Sequence, residues 1–224
     1  TKAVIFCEEK ISQNDDANGR TGKGLTAQAL SKLRKRVTYN GKQIDFTDKF
    51  FYQKITPDTQ LLYFDDVKKN FDFEALFSLL TEGFSIEYKR MQPIEVPFDK
   101  TPKVLISTNN VLSNDNDSHR ARKFEIEFSD YFSADYTPYD EFHSMLFEAG
   151  WKDDDDEWDK FYNFMLICVE LFLIISLTPY TPTNLIERKI IAAIDNDDFR
   201  DFCDAQYEKM EKGERIFRDQ LLKD

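Results

Sequence analysis

Asp16-Ala17-Asn18-Gly19-Arg20-Thr21-Gly22-Lys23-Gly24-Leu25-Thr26-Ala27-Gln28-Ala29-Leu30 crowds three of the chain's seven glycines into six residues, and its reading decides the fold. A loop that wraps a chain of phosphates must turn its backbone N–H groups inward. Residues without a Cβ allow that curvature and that close an approach. Lys23 supplies a charge for β- and γ-phosphates. The helix predicted over residues 23–35, rich in Ala, Leu, Gln and Lys, adds the partial positive charge of its N-terminus. Ala17, Asn18, Gly19, Arg20, Thr21, Gly22, Lys23, Gly24, Leu25 and Thr26 are therefore the candidate nucleotide-binding residues. The usual pattern is Gly-x-x-x-x-Gly-Lys-Ser/Thr. Here Ala17 stands first and Gly24 last, so the hydroxyl that would meet Mg²⁺ is missing, with Thr21 and Thr26 the nearest substitutes. Taken alone, the stretch also fits a Gly-rich surface turn before an ordinary helix.

Two later stretches extend the reading. Gln60-Leu61-Leu62-Tyr63-Phe64-Asp65-Asp66-Val67 is an apolar run that ends in two carboxylates. Such a run suits a strand buried on both faces of a parallel sheet, and acids at its C-terminal end sit on the rim where open α/β sheets bind ligands. Asp65 is the candidate Mg²⁺ ligand, directly or through water, with Thr26 as a second. Asp66 is the candidate for orienting or deprotonating an attacking water. Lys103-Val104-Leu105-Ile106-Ser107-Thr108-Asn109-Asn110 repeats the form and delivers Thr108 and Asn109 to the same rim, where an amide can bond a γ-phosphate or position water. Arg120 and Arg122 follow just before another expected strand at residues 123–128, as candidates for a transition-state clamp offered to a neighbouring subunit.

In this order of loop with lysine, strand with paired acids, strand with asparagine and then arginines, the chain resembles the superfamily-3 replicative helicases of viruses, phages and mobile elements. Among them it is most similar to the primase-associated phage type. The resemblance covers residues 2–132, and the wording Phe64-Asp65-Asp66-Val67-Lys68-Lys69-Asn70-Phe71-Asp72-Phe73-Glu74 also looks like the phage and Bacteroidetes-element branch. It implies a P-loop NTPase of AAA+-like, three-layer α/β build, with ATP and Mg²⁺ as cofactors and DNA unwinding or translocation in replication as the activity. Asp65-Asp66 corresponds to the family's second motif and Thr108-Asn109 to its sensor asparagine. The segment 81–90 lies where the family carries its single-strand-binding hairpin, which makes Tyr88, Lys89 and Arg90 the candidate nucleic-acid contacts; a solvated hairpin that happens to be basic is the alternative. Either Arg120 or Arg122 suits the arginine finger, and spacing does not choose between them. The implied partners are single-stranded DNA or a replication fork, further copies of the chain in a hexameric ring, and a primase region of the same polypeptide, in the cytoplasm of a bacterial host.

Composition bounds the rest. The chain's 224 residues, 41% of them hydrophobic, give room for one good-sized core or a core with a small satellite. A net charge of −12 argues against coating nucleic acid by bulk attraction, because phosphate neutralisation needs Lys and Arg on the contacting face. Cys7, Cys168 and Cys203 are odd in number and widely spaced, so they form neither a zinc signature nor a disulfide framework and point to a reducing compartment. His119 and His143 lack metal-ligand spacing and suit surface or packing roles. The chain opens on Thr1 with a strand expected at once, which reads as a fragment of a longer polypeptide.

The expected organisation is a core over residues 1–132, an aromatic and Pro-containing connector over 133–150, and an all-helical C-terminal region over 151–224. Strands are expected near 2–9, 44–54, 60–64, 103–108 and 123–128, and helices near 23–35 and 73–81. The segment 10–18 is a longer and more acidic insertion than a strand-to-loop turn needs, and its Asp15 and Asp16 would repel phosphate. The helix expected at 157–177 starts with acids at its positive dipole end and becomes nearly all apolar, as a central buried helix would. Its apolar stretch, 164–177, is too short to span a bilayer and contains Glu170. Two functions of different class use the same pocket: an ATP-hydrolysing motor, and a nucleotide-dependent assembly or loader module with little hydrolysis. A kinase would need a lid and an acceptor pocket that the sequence does not offer.

Overall fold

A computed structural model describes residues 1–9, 20–112, 116–148, 151, 155–178, 180, 182 and 189. The chain divides into two compact units, Thr1–Leu185 and Ile186–Asp224, and the second lies outside the described residues apart from Lys189. The same holds for the insertion at 10–18, for Ala17, Asn18 and Gly19, and for the helical patterning expected beyond residue 183.

The first unit is built on five strands: β1 Ala3–Glu8, β2 Arg36–Asn40, β3 Leu61–Val67, β6 Lys103–Thr108 and β7 Lys123–Phe128. They lie in the order β2-β3-β6-β1-β7, and every neighbouring pair is parallel. The apolar runs read from sequence are the central strands. Leu62, Phe64, Val104 and Ile106 are at most 1% exposed on one face, and Tyr63 and Leu105 are 3% and 2% exposed on the other, as strands covered on both faces require.

Alternation along the strands divides the core. Ala3, Ile5, Leu62, Phe64, Val104 and Ile106 face one side. Helices α2 (Phe77–Thr81) and α3 (Asp117–Arg122) belong to that side, for Leu79 and Leu80 join its core and the buried His119 ring packs on Phe73 and Phe77. Phe6, Leu61, Tyr63 and Leu105 face the other, where helix α1 (Lys23–Ser31) sets Ala27 and Leu30. Each fully buried apolar side chain contributes about 1.5–3 kcal/mol. A separate antiparallel hairpin joins β4 Gly83–Ile86 to β5 Ile94–Pro97.

Two expectations are corrected. Residues 44–54 form no strand; 3-10 turns occupy Gly41–Gln43 and Phe51–Lys54, and the edge strand is Arg36–Asn40. The reason is local. The Asp45 carboxylate accepts from the Thr47 N–H and that of Asp48 from the Phe50 N–H, turns that compete with a ladder, while Phe46 and Phe51 pack against the core. The helix expected at 157–177 forms as α5, Asp155–Ile175, yet it is not buried: Leu166, Leu173 and Ile174 are 66%, 74% and 70% exposed. Apolar periodicity makes the helix; it does not supply the surface that covers it. No helix among the described residues is long and apolar enough to cross a membrane.

Candidate functional site

Sheet topology sets the place. From β1 the chain leaves through α1 for the far edge strand β2, whereas from β6 it leaves through α3 for β7 on the opposite side of β1. The two connections leave the adjacent strands β1 and β6 in opposite directions, on opposite faces of the sheet, and a crevice at the C-terminal ends of parallel strands where order reverses is where open α/β sheets hold ligands. A cavity of about 550 Å³ opens there. Lys23, Asp65, Asp66, Ser107 and Asn109 line its polar part, and Pro138, Tyr139, Met145 and Leu146 also line it.

The loop before α1 lines this cavity and takes an unusual backbone path. Arg20 and Gly22 both take positive φ, 79° and 97°. Glycine is permissive there, whereas an arginine in that region stores strain. Gly22 is also the N-cap of α1 and offers no side chain to bond the first N–H groups, so the helix start carries no side-chain cap.

Lys23 is 8% exposed, and its Nζ donates to Glu8 Oε1 at 2.6 Å, to Asn109 Oδ1 at 2.7 Å and to Thr21 Oγ1 at 3.4 Å. Asn109 in turn donates from Nδ2 to Asp66 Oδ1 at 3.2 Å, and Asp66 Oδ2 meets Lys42 Nζ at 2.6 Å. Carboxylate, ammonium, amide, carboxylate and ammonium thus alternate across the ends of β1, β6, β3 and β2. The amide orientation of Asn109 is fixed by this chain, its oxygen on a cation and its nitrogen on a carboxylate.

Adjacent residues of a regular strand point to opposite faces, yet Asp65 and Asp66 line one cavity. A bulge explains it. The β3–β6 register shifts between Phe64 and Val67, and Asp66 takes a left-handed φ of 54°. Gly41 lies against the bulge so closely that a Cβ there would come 2.5 Å from the Asp65 carbonyl oxygen and 2.6 Å from the Val67 nitrogen. Two hydroxyls hold Asp65: that of Tyr63 donates to Oδ1 at 2.7 Å, and that of Ser107 donates to the same oxygen at 2.9 Å. Ser107 Oγ also accepts from the Asp66 N–H at 2.9 Å. Burial first, and then the neighbouring Asp65, push the Tyr63 phenol well above its ordinary range, so it stays a donor. The exposed Lys42 ammonium is raised, above all by the hydrogen bond that Lys42 itself donates to Asp66.

No protein-family profile and no curated protein matches this chain. Among solved structures it is similar to an apo A form of the NrS-1 C-terminal region, with 17% identity and a TM-score of 0.46 over 98% of this chain and 51% of that one. The chain therefore spans about half the length of that structure. Two further apo structures of the NrS-1 C-terminal region match at 19% and 20% identity, each with a TM-score of 0.38, over 60% and 63% of this chain and 32% of each of those.

The structure brings Lys23, Asp65, Asp66 and Asn109 together with Arg20, Thr21, Gly22, Gly24 and Leu25. It does not bring Thr26 to that cavity: its hydroxyl turns back to the Gly22 carbonyl at 3.2 Å, and it lines a neighbouring one. Arg120 and Arg122 lie apart from the cavity. Arg120 is exposed and paired with Asp117 at 2.6 Å, while the Arg122 guanidinium sits 4.4 Å over the Phe77 ring. Tyr88, Lys89 and Arg90 follow β4 at the hairpin turn. The Tyr88 hydroxyl donates to the Ile55 carbonyl at 2.6 Å and its ring packs on the core, whereas Lys89 and Arg90 are exposed. Glu8, Lys42, Tyr63, Ser107 and Gly41 were not singled out from sequence. Tyr63 and Ser107 each precede a chosen residue by two positions, and that period on a strand is the signal that finds them.

Proposed function

We propose that this chain is the ATP-hydrolysing domain of a DNA helicase or translocase of the phage and mobile-element primase-helicase type, acting in DNA replication. The observation that carries the reading is the convergence of Lys23, Asn109, Asp65 and Asp66 on one cavity at the point where strand order reverses. The residues fit the cofactors in kind. Oxygen ligands from one or two carboxylates, completed by water and phosphate, are what Mg²⁺ takes, and Asp65 and Asp66 would supply them. Lys23 and the uncapped start of α1 would hold the phosphates. When bound, Mg²⁺ neutralises charge on the β- and γ-phosphates. Asn109 would then orient either phosphate or water, held by the lysine on one side and Asp66 on the other.

The finer parts of the reading follow from the resemblance together with exposure. Arg120, exposed and paired with the exposed Asp117 of its own helix, suits a finger completing a neighbour's site in a ring better than Arg122, which covers Phe77. Lys89 and Arg90 at the hairpin turn would contact single-stranded DNA, with Tyr88 supporting the turn instead of stacking on a base.

A second reading, a nucleotide-dependent loader with little hydrolysis, is favoured by two specific observations. Lys23 is already neutralised by the buried Glu8, and Gly24 brings no hydroxyl to the metal. DNA-stimulated ATPase activity of the protein with its primase region, compared with an Asp66→Asn variant, decides between them. The motor reading expects turnover that rises with single-stranded DNA and falls about a hundredfold or more in the variant. ATP binding without turnover in either protein would replace the motor with the loader, and no binding would remove both.

A further inference from the structure

The nucleotide reading accounts for one cavity, and a second of about 330 Å³ adjoins it. Thr21, Gly22 and Leu25 line both, so the phosphate loop is the wall between them. The second cavity adds Thr26, Phe128, Ser129, Tyr131 and Phe132, and none of its lining residues is charged. Its position follows from the sheet: β7 pairs with β1 on the side away from β6, so the residues after Phe128 reach the loop from the side opposite Asn109. The Phe132 ring stands against the loop, with Cδ2 3.9 Å from where a Cβ on Gly22 would lie. That ring is held in turn by Tyr131 and Tyr136, at centroid distances of 4.9 and 6.2 Å.

A nucleoside triphosphate has two chemically unlike ends. The polyanion needs cations and N–H groups, which the first cavity supplies. The base is a flat π-system that gains most from aromatic faces out of water. We infer that the second cavity is the base compartment of the nucleotide site, that it takes a purine ring against Phe132 and Tyr131, and that it discriminates little between purines. This rests on the phosphate reading of the first cavity. Weak discrimination follows from the polar side chains there, which are all hydroxyls: Thr26 already donates to the Gly22 carbonyl and Thr21 accepts from Lys23, which leaves those of Ser129 and Tyr131 for a base. A hydroxyl rotates to donate or accept, so none imposes the fixed pattern that would reject adenine or guanine.

Titrations of the chain with ATP, GTP and inorganic tripolyphosphate in the presence of Mg²⁺ test this, repeated on Tyr131→Ala and Phe132→Leu. Tyr131 is 60% exposed, so its replacement leaves folding intact even if the Phe132 variant does not fold. ATP and GTP are expected to bind within about tenfold of one another, and each about tenfold or more tightly than tripolyphosphate. Either folded variant should lose most of that margin while its tripolyphosphate affinity stays. Three results overturn the base compartment and leave the phosphate reading in place: a margin that survives both substitutions, a margin lost in Tyr139→Ala instead, or a preference for one purine beyond about a hundredfold. If none of the three ligands binds the unaltered protein, the phosphate reading falls and this inference falls with it.

Discussion

Strand β3 and helix α5 are both strongly apolar runs of sequence, and they meet opposite fates. Leu62 and Phe64 are wholly buried between layers, while Leu173 and Ile174, at the end of α5, stand 74% and 70% exposed. The difference lies in what each needs from elsewhere in the chain. A central parallel strand is covered by elements that its own crossovers bring over the sheet, so burial and topology come together. A helix closes its own backbone hydrogen bonds, and its apolar face is covered only when another element arrives. β3 is thus fixed enough to hold two carboxylates on a bulged rim, where mis-aiming by a single residue would turn one of them away.

The largest expected effect tests how firmly that rim is fixed. Lys23→Ala takes one ammonium from the buried Glu8 carboxylate, and breaking a buried pair from one side costs about 3–5 kcal/mol. Adding Glu8→Gln should return most of that loss, because the charge that burial penalises is gone. Urea unfolding of both variants measures the difference, and a cost below about 1 kcal/mol for the single variant would mean that the pair does not organise the rim. Glu8→Gln alone should bind triphosphate more tightly than the unaltered chain, since Lys23 no longer has to leave a carboxylate to meet phosphate. Weaker binding would assign Glu8 to positioning Lys23 instead of restraining it.

What the sequence disclosed, and what it hid, follows the same division. Glycine crowding around Gly22 and the acids ending β3 are local patterns, and the parallel sheet and the grouping of Lys23, Asp65, Asp66 and Asn109 were legible from them. Glu8, Lys42 and the hydroxyls of Tyr63 and Ser107 act through the register of strands far apart in the chain, which no local window contains. Residues 44–54 carry enough aromatic side chains to look like a strand, and two aspartates capping their own turns decide otherwise. For α5 the helix was legible and the burial was not, because a cover is a property of another element.

An intermediate effect probes the bulge itself. A Cβ at Gly41 would overlap the backbone of Asp65 and Val67 at 2.5–2.7 Å, atoms that belong to the sheet and have little room to yield. Gly41→Ala should therefore cost about 1–3 kcal/mol by overpacking. Because the displaced atoms flank Asp65 and Asp66, the Mg²⁺ concentration needed for nucleotide binding should rise more than the phosphate affinity falls. Thermal unfolding and a Mg²⁺ titration of nucleotide binding read the two effects separately. Normal stability with normal Mg²⁺ dependence would show that the carboxylates do not depend on this contact.

The smallest expected effect bears on the other half of the comparison. Leu173→Ala removes an apolar side chain as large as Leu62, and at a buried site that truncation costs about 2–5 kcal/mol. At a position 74% exposed it creates no cavity and removes little surface from the interior, and leucine and alanine differ little as helix formers. The expected change is therefore within about 0.5 kcal/mol, the range of ordinary surface substitutions. Denaturant unfolding at two protein concentrations is the measurement, because burial against another copy would make stability rise with concentration. A cost near that of a core leucine at the lower concentration would mean that α5 is covered within the chain, and the contrast with β3 would dissolve. A cost that appears only at the higher concentration would keep the contrast within one chain and show that the apolar face of α5 is completed by association.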